Sequence, residues 1–316
     1  MADPVTVAIP VRNGGAMLTR TLAAVRAQRV GRPLELLVAD SGSSDGSADT
    51  ARRHGARVIS VAPSEYSHGG TRNLLAEAAS GSHIAFLTQD ATPVDENWLA
   101  RLLSGFELAE GVGLVFGPYR PRPGSSAMVR RELEAWFHSL SPDGSPRVQR
   151  GLPTASDPDA MRRLFFTDAN GCIDRRALER VPFREIAYAE DQQLARDMLA
   201  AGYVKVYLPG AAVLHSHDYR PLEVLRRSFD EWRGLREVHG AASLPGLLRS
   251  GLTVQRSVRD DLSLLRREGA SPASLLRTAP AALAYHLLRA VGAALGSRAG
   301  SLPSTLRRAC SLEGRS

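Results

Sequence analysis

Ile84-Ala85-Phe86-Leu87-Thr88-Gln89-Asp90-Ala91 decides the fold. The first four residues are an apolar run of strand length, and such a strand needs a sheet covered on both faces. A carboxylate, Asp90, follows within three residues of its end. Open α/β sheets bind ligands outside the carboxyl ends of their strands. A carboxylate fixed there suits a divalent metal, and a divalent metal suits a diphosphate.

Outward from this stretch the pattern repeats. Residues 5–10 read as a buried strand ending at Pro10, and Arg12-Asn13-Gly14-Gly15 as a turn. Helical spacing over 16–28 leads to a second strand, 34–39, which Asp40 closes. A polar loop at 41–46, a helix at 47–54, a strand at 57–61 and a helix at 71–79 complete the approach to strand 84–87. Strands alternating with helices at this spacing predict an α/β fold, with a mostly parallel sheet covered by helices on both faces. Further on, 112–116 reads as a strand and 120–127 and 141–159 as loops rich in Pro, Gly, Ser and Asp. Residues 164–167 and 171–173 are short strand-like pieces. A helix at 190–201, closed by Gly202, precedes a strand at 205–208. From Pro221 only helical patterns remain, over 222–238, 254–267 and 274–295. The chain thus divides into an α/β domain, 1–220, and a helical C-terminal extension, 221–316.

Composition narrows the class. A chain of 316 residues with 43% hydrophobic content suffices for one large domain or a domain with an extension. Cys172 and Cys310 are the only cysteines, too few for a disulfide framework or a thiolate cluster, which fits a reducing compartment. No basic leader precedes the first strand, and no uncharged apolar run reaches about eighteen residues. The expected location is the cytoplasm, or the inner face of the cell membrane. Residues 1–220 hold 25 basic and 25 acidic side chains, while residues 221–316 hold 15 and 8, so the whole charge of +7 lies in the last third. That asymmetry suggests an anionic partner for the extension. Nucleic acid is not expected, because the basic helices lack a reading motif and interleaved aromatics.

Polar clusters fall at the carboxyl ends of three predicted strands: Pro10-Val11-Arg12-Asn13, Asp40-Ser41-Gly42 and Thr88-Gln89-Asp90. Neither a G-x-G-x-x-G after the first strand nor a P-loop is present. Asp40 before Ser-Gly has an ordinary use, capping its own turn. Arg72 and Asn73 open a predicted helix behind Gly69 and Gly70, a place that suits phosphate. His68 reads equally as a sugar contact or a surface histidine. His215 and His217, one residue apart on an extended segment, face the same side. Glu190 and Asp191 begin a helix, where acids commonly answer the helix dipole.

Ile9-Pro10-Val11-Arg12-Asn13, the loop Asp40-Ser41-Gly42-Ser43-Ser44-Asp45-Gly46 and the pair Glu190-Asp191 carry a family resemblance. In this order the chain resembles the inverting glycosyltransferases of family 2, which have the GT-A fold. His68-Gly69-Gly70-Thr71-Arg72-Asn73 and Phe86-Leu87-Thr88-Gln89-Asp90-Ala91 resemble the rhamnosyltransferase branch. The resemblance covers roughly residues 4–240. It implies that Asp40 accepts the N3–H of a uracil or thymine ring, with Pro10, Arg12, Asn13, Ser41 and Gly42 about the nucleotide. Gly69, Arg72, Asn73, Gln89 and Asp90 complete the expected nucleotide-sugar site, although Arg72 and Asn73 also read as a helix start that needs no ligand. Family members usually carry Asp-x-Asp where this chain has Thr88-Gln89-Asp90, so one anionic ligand is missing. Mg²⁺ or Mn²⁺ is then held by Asp90 and a histidine after a late strand, His215 in preference to His217. Asp191 is the implied general base, supported by Glu190, and 167–171 faces sugar and acceptor.

The expected activity moves a sugar, L-rhamnose from dTDP-rhamnose, to a glycan or lipid-linked glycan. A UDP-hexose donor and a non-catalytic sugar-nucleotide-binding module are the competing expectations. The C-terminal helices are open to three roles: a packing layer, a homodimer interface, or a membrane-surface element.

Overall fold

β1 (Val5–Val11) is buried along its whole length and lies between β2 (Leu34–Asp40) and β4 (His83–Leu87), parallel to both. The computed structural model describes residues 3–154, 157–240 and 247–312. Pairing with β4 ends at Ala8, opposite Phe86, so Pro10 sits where β1 no longer needs to donate toward that neighbour. The strand therefore passes Pro10 and ends at Val11, one residue beyond the sequence expectation.

Eight strands form the main sheet. Its order adds β3 (Arg57–Ser60), β6 (Val112–Phe116), β8 (Arg147–Arg150), β9 (Asn170–Asp174) and β10 (Val204–Tyr207), giving β3-β2-β1-β4-β9-β6-β10-β8. Only β9 and the edge strand β8 run against the rest. The sheet is thus mostly parallel, as the alternation of strands and helices predicted. A second, three-stranded sheet joins β5 (Thr92–Pro93), β11 (Val213–Leu214) and β7 (Tyr119–Arg120). It gathers the segments that follow β4, β6 and β10.

Two sequence expectations are corrected. Residues 164–167 are not a strand: α6 (Ala160–Leu164) ends there and the chain turns toward β9. The supposed loop 141–159 contains β8, which hydrogen-bonds to β10. The Pro-, Gly- and Ser-rich flanks hid a strand of four residues with the mixed sequence Arg-Val-Gln-Arg.

The chain forms two units. The first comprises the residues up to Arg122, Glu134–Ile186 and Glu190–His215, and holds both sheets. Its core includes Ile9, Leu18, Leu22, Trp98 and Val115, and each such large side chain contributes about 1.5–3 kcal/mol when removed from water. The second comprises Pro123–Leu133, Ala187–Ala189 and the chain from Ser216. It is helical, with α9 (Pro221–His239), α10 (Leu247–Arg267), α11 (Pro272–Gly296) and α12 (Ser304–Cys310). Gly292 and Gly296 let α11 lie against the backbone of α9, since a Cβ there would stand 2.3 Å from the Leu225 carbonyl or 2.2 Å from that of Phe229. Among the described residues no helix is long and apolar enough to cross a membrane.

Candidate functional site

Register brings the first two polar clusters together: Val11 lies opposite Asp40 in the β1–β2 pair. Asp40 is 7% exposed and its two carboxylate oxygens differ. Oδ2 accepts the Ser43 amide at 3.1 Å, the turn-capping use. Oδ1 is buried and accepts no hydrogen bond from the described residues. Gly42, at φ +75°, makes the turn that leaves this oxygen so placed. A buried anionic oxygen without a donor is costly, so this atom suits the N–H of a ligand.

Around Asp40, several candidates turn out to hold the loop. Asn13 sits at φ +51°; its Oδ1 accepts the Ser44 amide at 2.8 Å while its own amide donates to Ser43 Oγ at 2.9 Å. The Ser41 hydroxyl donates to the Val11 carbonyl at 3.2 Å. Gln89 clamps the Arg12 backbone, accepting its N–H at 2.9 Å and donating to its carbonyl at 3.2 Å. Pro10 is buried within β1, and the Arg12 side chain is exposed at the rim. Asn13, Ser41 and Gln89 therefore shape the pocket wall with side chains already engaged.

Asp90 follows β4, and His215 follows β11. The Asp90 carboxylate lies 3.5 Å from His215 Nδ1. The small sheet produces this meeting, because β11 pairs with β5 just beyond Asp90 and with β7, and the His215 amide donates to the Arg120 carbonyl at 3.0 Å. The Tyr119 ring meets the His215 imidazole edge-on at 4.7 Å, and Arg122 donates to the Asp90 carbonyl. A carboxylate and an imidazole whose atoms lie 3.5 Å apart suit one cation with bonds of about 2.1 Å to each. His217 belongs to the second unit, where its ring stacks on Tyr219 at 5.3 Å.

The third constellation is built on α3 (His68–Ala78) and α8 (Glu190–Ala200). α3 starts at His68 rather than Thr71, because Ser67 caps it by accepting the Gly70 amide at 3.0 Å. Arg72 and Asn73 therefore stand in the second turn, with no free amides to offer a phosphate. Asn73 instead clips Phe183, donating to its carbonyl at 2.9 Å and accepting its amide at 3.0 Å. Gly69 is a packing glycine: a Cβ there would lie 2.3 Å from the Arg184 carbonyl. Arg72 is buried, with Nε 2.6 Å from Asp168 and NH1 3.0 Å from Glu190. Arg72 acts on carboxylates.

Asp191, one residue after Glu190, is half-buried. Burial foremost, then the charges of Asp168 and Glu190, push its carboxyl well above the usual carboxylate range, with Arg72 pulling the other way. His68 Nδ1 stands 3.9 Å from Glu190 and 3.1 Å from the Tyr66 hydroxyl, which draws it into the cluster. Ala189, at φ +63°, precedes the pair; a non-glycine residue there stores local strain of about 1 kcal/mol.

One residue that the sequence offered only within 167–171, as part of a segment facing sugar and acceptor, ties these parts together. Asn170 opens β9, fully buried. Its Oδ1 accepts the Trp98 indole N–H at 2.8 Å, and its Nδ2 donates to Pro118 and Ala211 at 3.1 and 2.8 Å. Those carbonyls belong to the segments leading into β7 and β11. Gly117 completes the join, since a Cβ there would lie 1.7 Å from the Ala211 carbonyl. One polar residue flanked by small ones was the only available signal, and it gives no partner.

Comparison with known proteins agrees with this geometry. The glycosyl transferase family 2 profile matches residues 6–171. The O-antigen chain rhamnosyltransferase WbaN of Salmonella anatum is 30% identical over 231 residues, 71% of this chain and 70% of that protein. RfbN of Salmonella typhimurium, also an O-antigen chain rhamnosyltransferase, is 30% identical over 233 residues, 72% and 70%. Among solved structures, the mannosyltransferase PcManGT of Pyrobaculum calidifontis, in complex with GDP-Man and Mn²⁺, superposes with a TM-score of 0.58 at 19% identity, covering 95% of this chain and 87% of that one. Glucosyl-3-phosphoglycerate synthase of Mycobacterium tuberculosis, with Mn²⁺, UDP and phosphoglyceric acid, gives 0.52 at 22%, covering 77% and 80%. The architecture is GT-A, and the chain belongs to glycosyl transferase family 2, resembling its rhamnosyltransferases.

Proposed function

We propose that this enzyme transfers L-rhamnose from dTDP-rhamnose, with inversion, to a glycan or lipid-linked glycan of the O-antigen type. The observation that carries the proposal is the Asp90–His215 pair, 3.5 Å apart at the carboxyl edge of the sheet. The two rhamnosyltransferase relatives support the choice of sugar and acceptor.

Asp40 Oδ1 receives the N3–H of the thymine ring, which ends its lack of a donor. Asp90 and His215 hold a divalent cation. Bound there, the cation supplies charge neutralisation at the leaving diphosphate. One carboxylate and one imidazole favour Mn²⁺ over Mg²⁺, which prefers an all-oxygen set. Asp191 removes the proton from the acceptor hydroxyl as that oxygen attacks the anomeric carbon opposite the diphosphate. Its raised affinity for a proton strengthens it as a base. Glu190 and Asp168 hold Arg72, and the three together set the field around Asp191. A lipid-linked acceptor would bring the enzyme to a membrane surface.

Thymine and uracil present the same edge to Asp40, so a UDP-hexose is the competing donor. Hydrolysis of a panel of nucleotide sugars, with Mn²⁺ or Mg²⁺, tests the proposal on wild type and Asp191→Asn. Metal-dependent turnover of dTDP-rhamnose that the variant loses is the expected result. Preference for a UDP-hexose would overturn the sugar. Tight binding without turnover of any donor would favour a binding module instead.

A further inference from the structure

α11 is a helix of 25 residues without a single aspartate or glutamate. Its two faces differ sharply. One face carries Ala282, His286, Gly292, Ala293 and Gly296, all buried within the second unit. The opposite face carries Leu276, Leu283, Leu287 and Val291, which are 76, 45, 46 and 47% exposed. The spacing of seven, four and four residues sets these on one stripe. At 1.5 Å per residue the stripe is about 22 Å long. Pro280 lies on the same line and is also exposed.

Basic side chains outnumber acidic ones on α10 and α11. Arg277 stands exposed near its start and Arg298 is exposed just past the helix end. Arg289 turns inward and pairs with Glu132 and, at 3.8 Å, Glu231. On α10, Arg256, Arg259 and Arg266 are exposed and line an open groove of about 690 Å³ together with Leu252 and Leu262. Leu252 is 67% exposed. Residues 221–316 carry 15 bases against 8 acids.

An exposed row of large aliphatic side chains in a basic unit has two natural occupants: a second copy, or an anionic lipid surface. A second copy would bring two net-positive units together. A lipid surface with negative headgroups takes the aliphatic row into its boundary and the flanking guanidiniums at its phosphates. We propose that the Leu276–Val291 face of α11 docks the protein, lying flat, on an anionic membrane. The surface stands independently of the donor and acceptor assigned above.

Sedimentation of the full chain with phosphatidylcholine vesicles, with and without phosphatidylglycerol, tests this. Wild type is expected to sediment with the mixed vesicles, to stay in solution with phosphatidylcholine alone, and to be released by salt. The double variant Leu283→Glu, Leu287→Glu places two charges where two leucines enter the boundary, and is expected to lose at least roughly 100-fold in partitioning. Both positions are exposed, and unchanged circular dichroism verifies the fold. No sedimentation of wild type with mixed vesicles overturns the proposal, as does equal sedimentation of the variant. A wild-type dimer in solution that the variant converts to a monomer would assign the stripe to a second copy instead.

Discussion

Each unit buries a cluster of arginine and carboxylate, and the two clusters balance differently. In the first unit one guanidinium, Arg72, answers Asp168 and Glu190, and Asp191 crowds the same space. Three acids face one arginine, with His68 at the margin. In the second unit Arg131 and His286 answer Asp261, the latter at 2.6 Å, while Arg289 and the Tyr285 hydroxyl, at 2.9 Å, answer Glu132. There every acid has its cation. A buried cluster whose charges cancel fixes helices against each other. A cluster left with surplus negative charge raises the proton affinity of its least-paired member, and that member, Asp191, is the one with chemistry to do.

Removing one acid from each cluster should therefore give opposite results. Asp191→Asn is expected to lower kcat by about 10²–10⁴-fold, the usual worth of a positioned base. Its unfolding temperature should hold or rise, because an acid that burial disfavours is gone. Asp261→Asn is expected to cost about 3 kcal/mol of stability, since it strands Arg131 and His286. Turnover should persist at temperatures where the variant stays folded. Kinetics and thermal unfolding on the same two proteins decide the matter; loss of turnover in folded Asp261→Asn would break the contrast.

The same contrast explains what the sequence could show. Asp40, Asp90 and Glu190-Asp191 end strands or start a helix, so their positions follow from local pattern. The β1–β4 framework was legible for the same reason, because short continuous apolar runs bounded by turn residues and helices of period 3.6 declare themselves. Arg72 was misread because Gly69-Gly70 suggested a later helix start than the Ser67 cap permits. Its true partners, Asp168 and Glu190, lie 96 and 118 residues away. Asn170 and Gly117 escaped for a related cause: their roles depend on carbonyls from β7 and β11 segments that only the folded sheet brings near. The clusters of the second unit were invisible too, since Pro123–Leu133 joins the late helices from mid-chain.

A subtler test keeps Asp191 and changes its neighbour. Activity that needs ionised Asp191 falls as pH drops through its raised value. Glu190→Gln removes a negative charge that raises it. The acid limb of kcat/KM should then move to lower pH. Glu132→Gln, in the balanced cluster, should leave the limb where it is. A limb that moves equally in both variants would detach the titration from the first cluster.

The smallest expected effect concerns Lys205, the only lysine of the chain and a buried cation paired with no acid among the described residues. Its ammonium donates to the carbonyls of Arg163 at 2.6 Å and Phe165 at 2.5 Å, tying down the segment that leads to Asp168. Burial, aided by Arg163, pushes it down to about 7. The unfolded chain then binds one more proton than the native state between that value and the ordinary lysine value of about 10.4. Stability should rise with pH across this window, by no more than about 1.4 kcal/mol per unit, and be lost as pH falls back through it. Lys205→Met should flatten the rise. Denaturant unfolding at several pH values measures both slopes. A flat wild-type profile would mean that the two carbonyls hold the ammonium as well as an acid would, and that a buried cation can be balanced by dipoles alone.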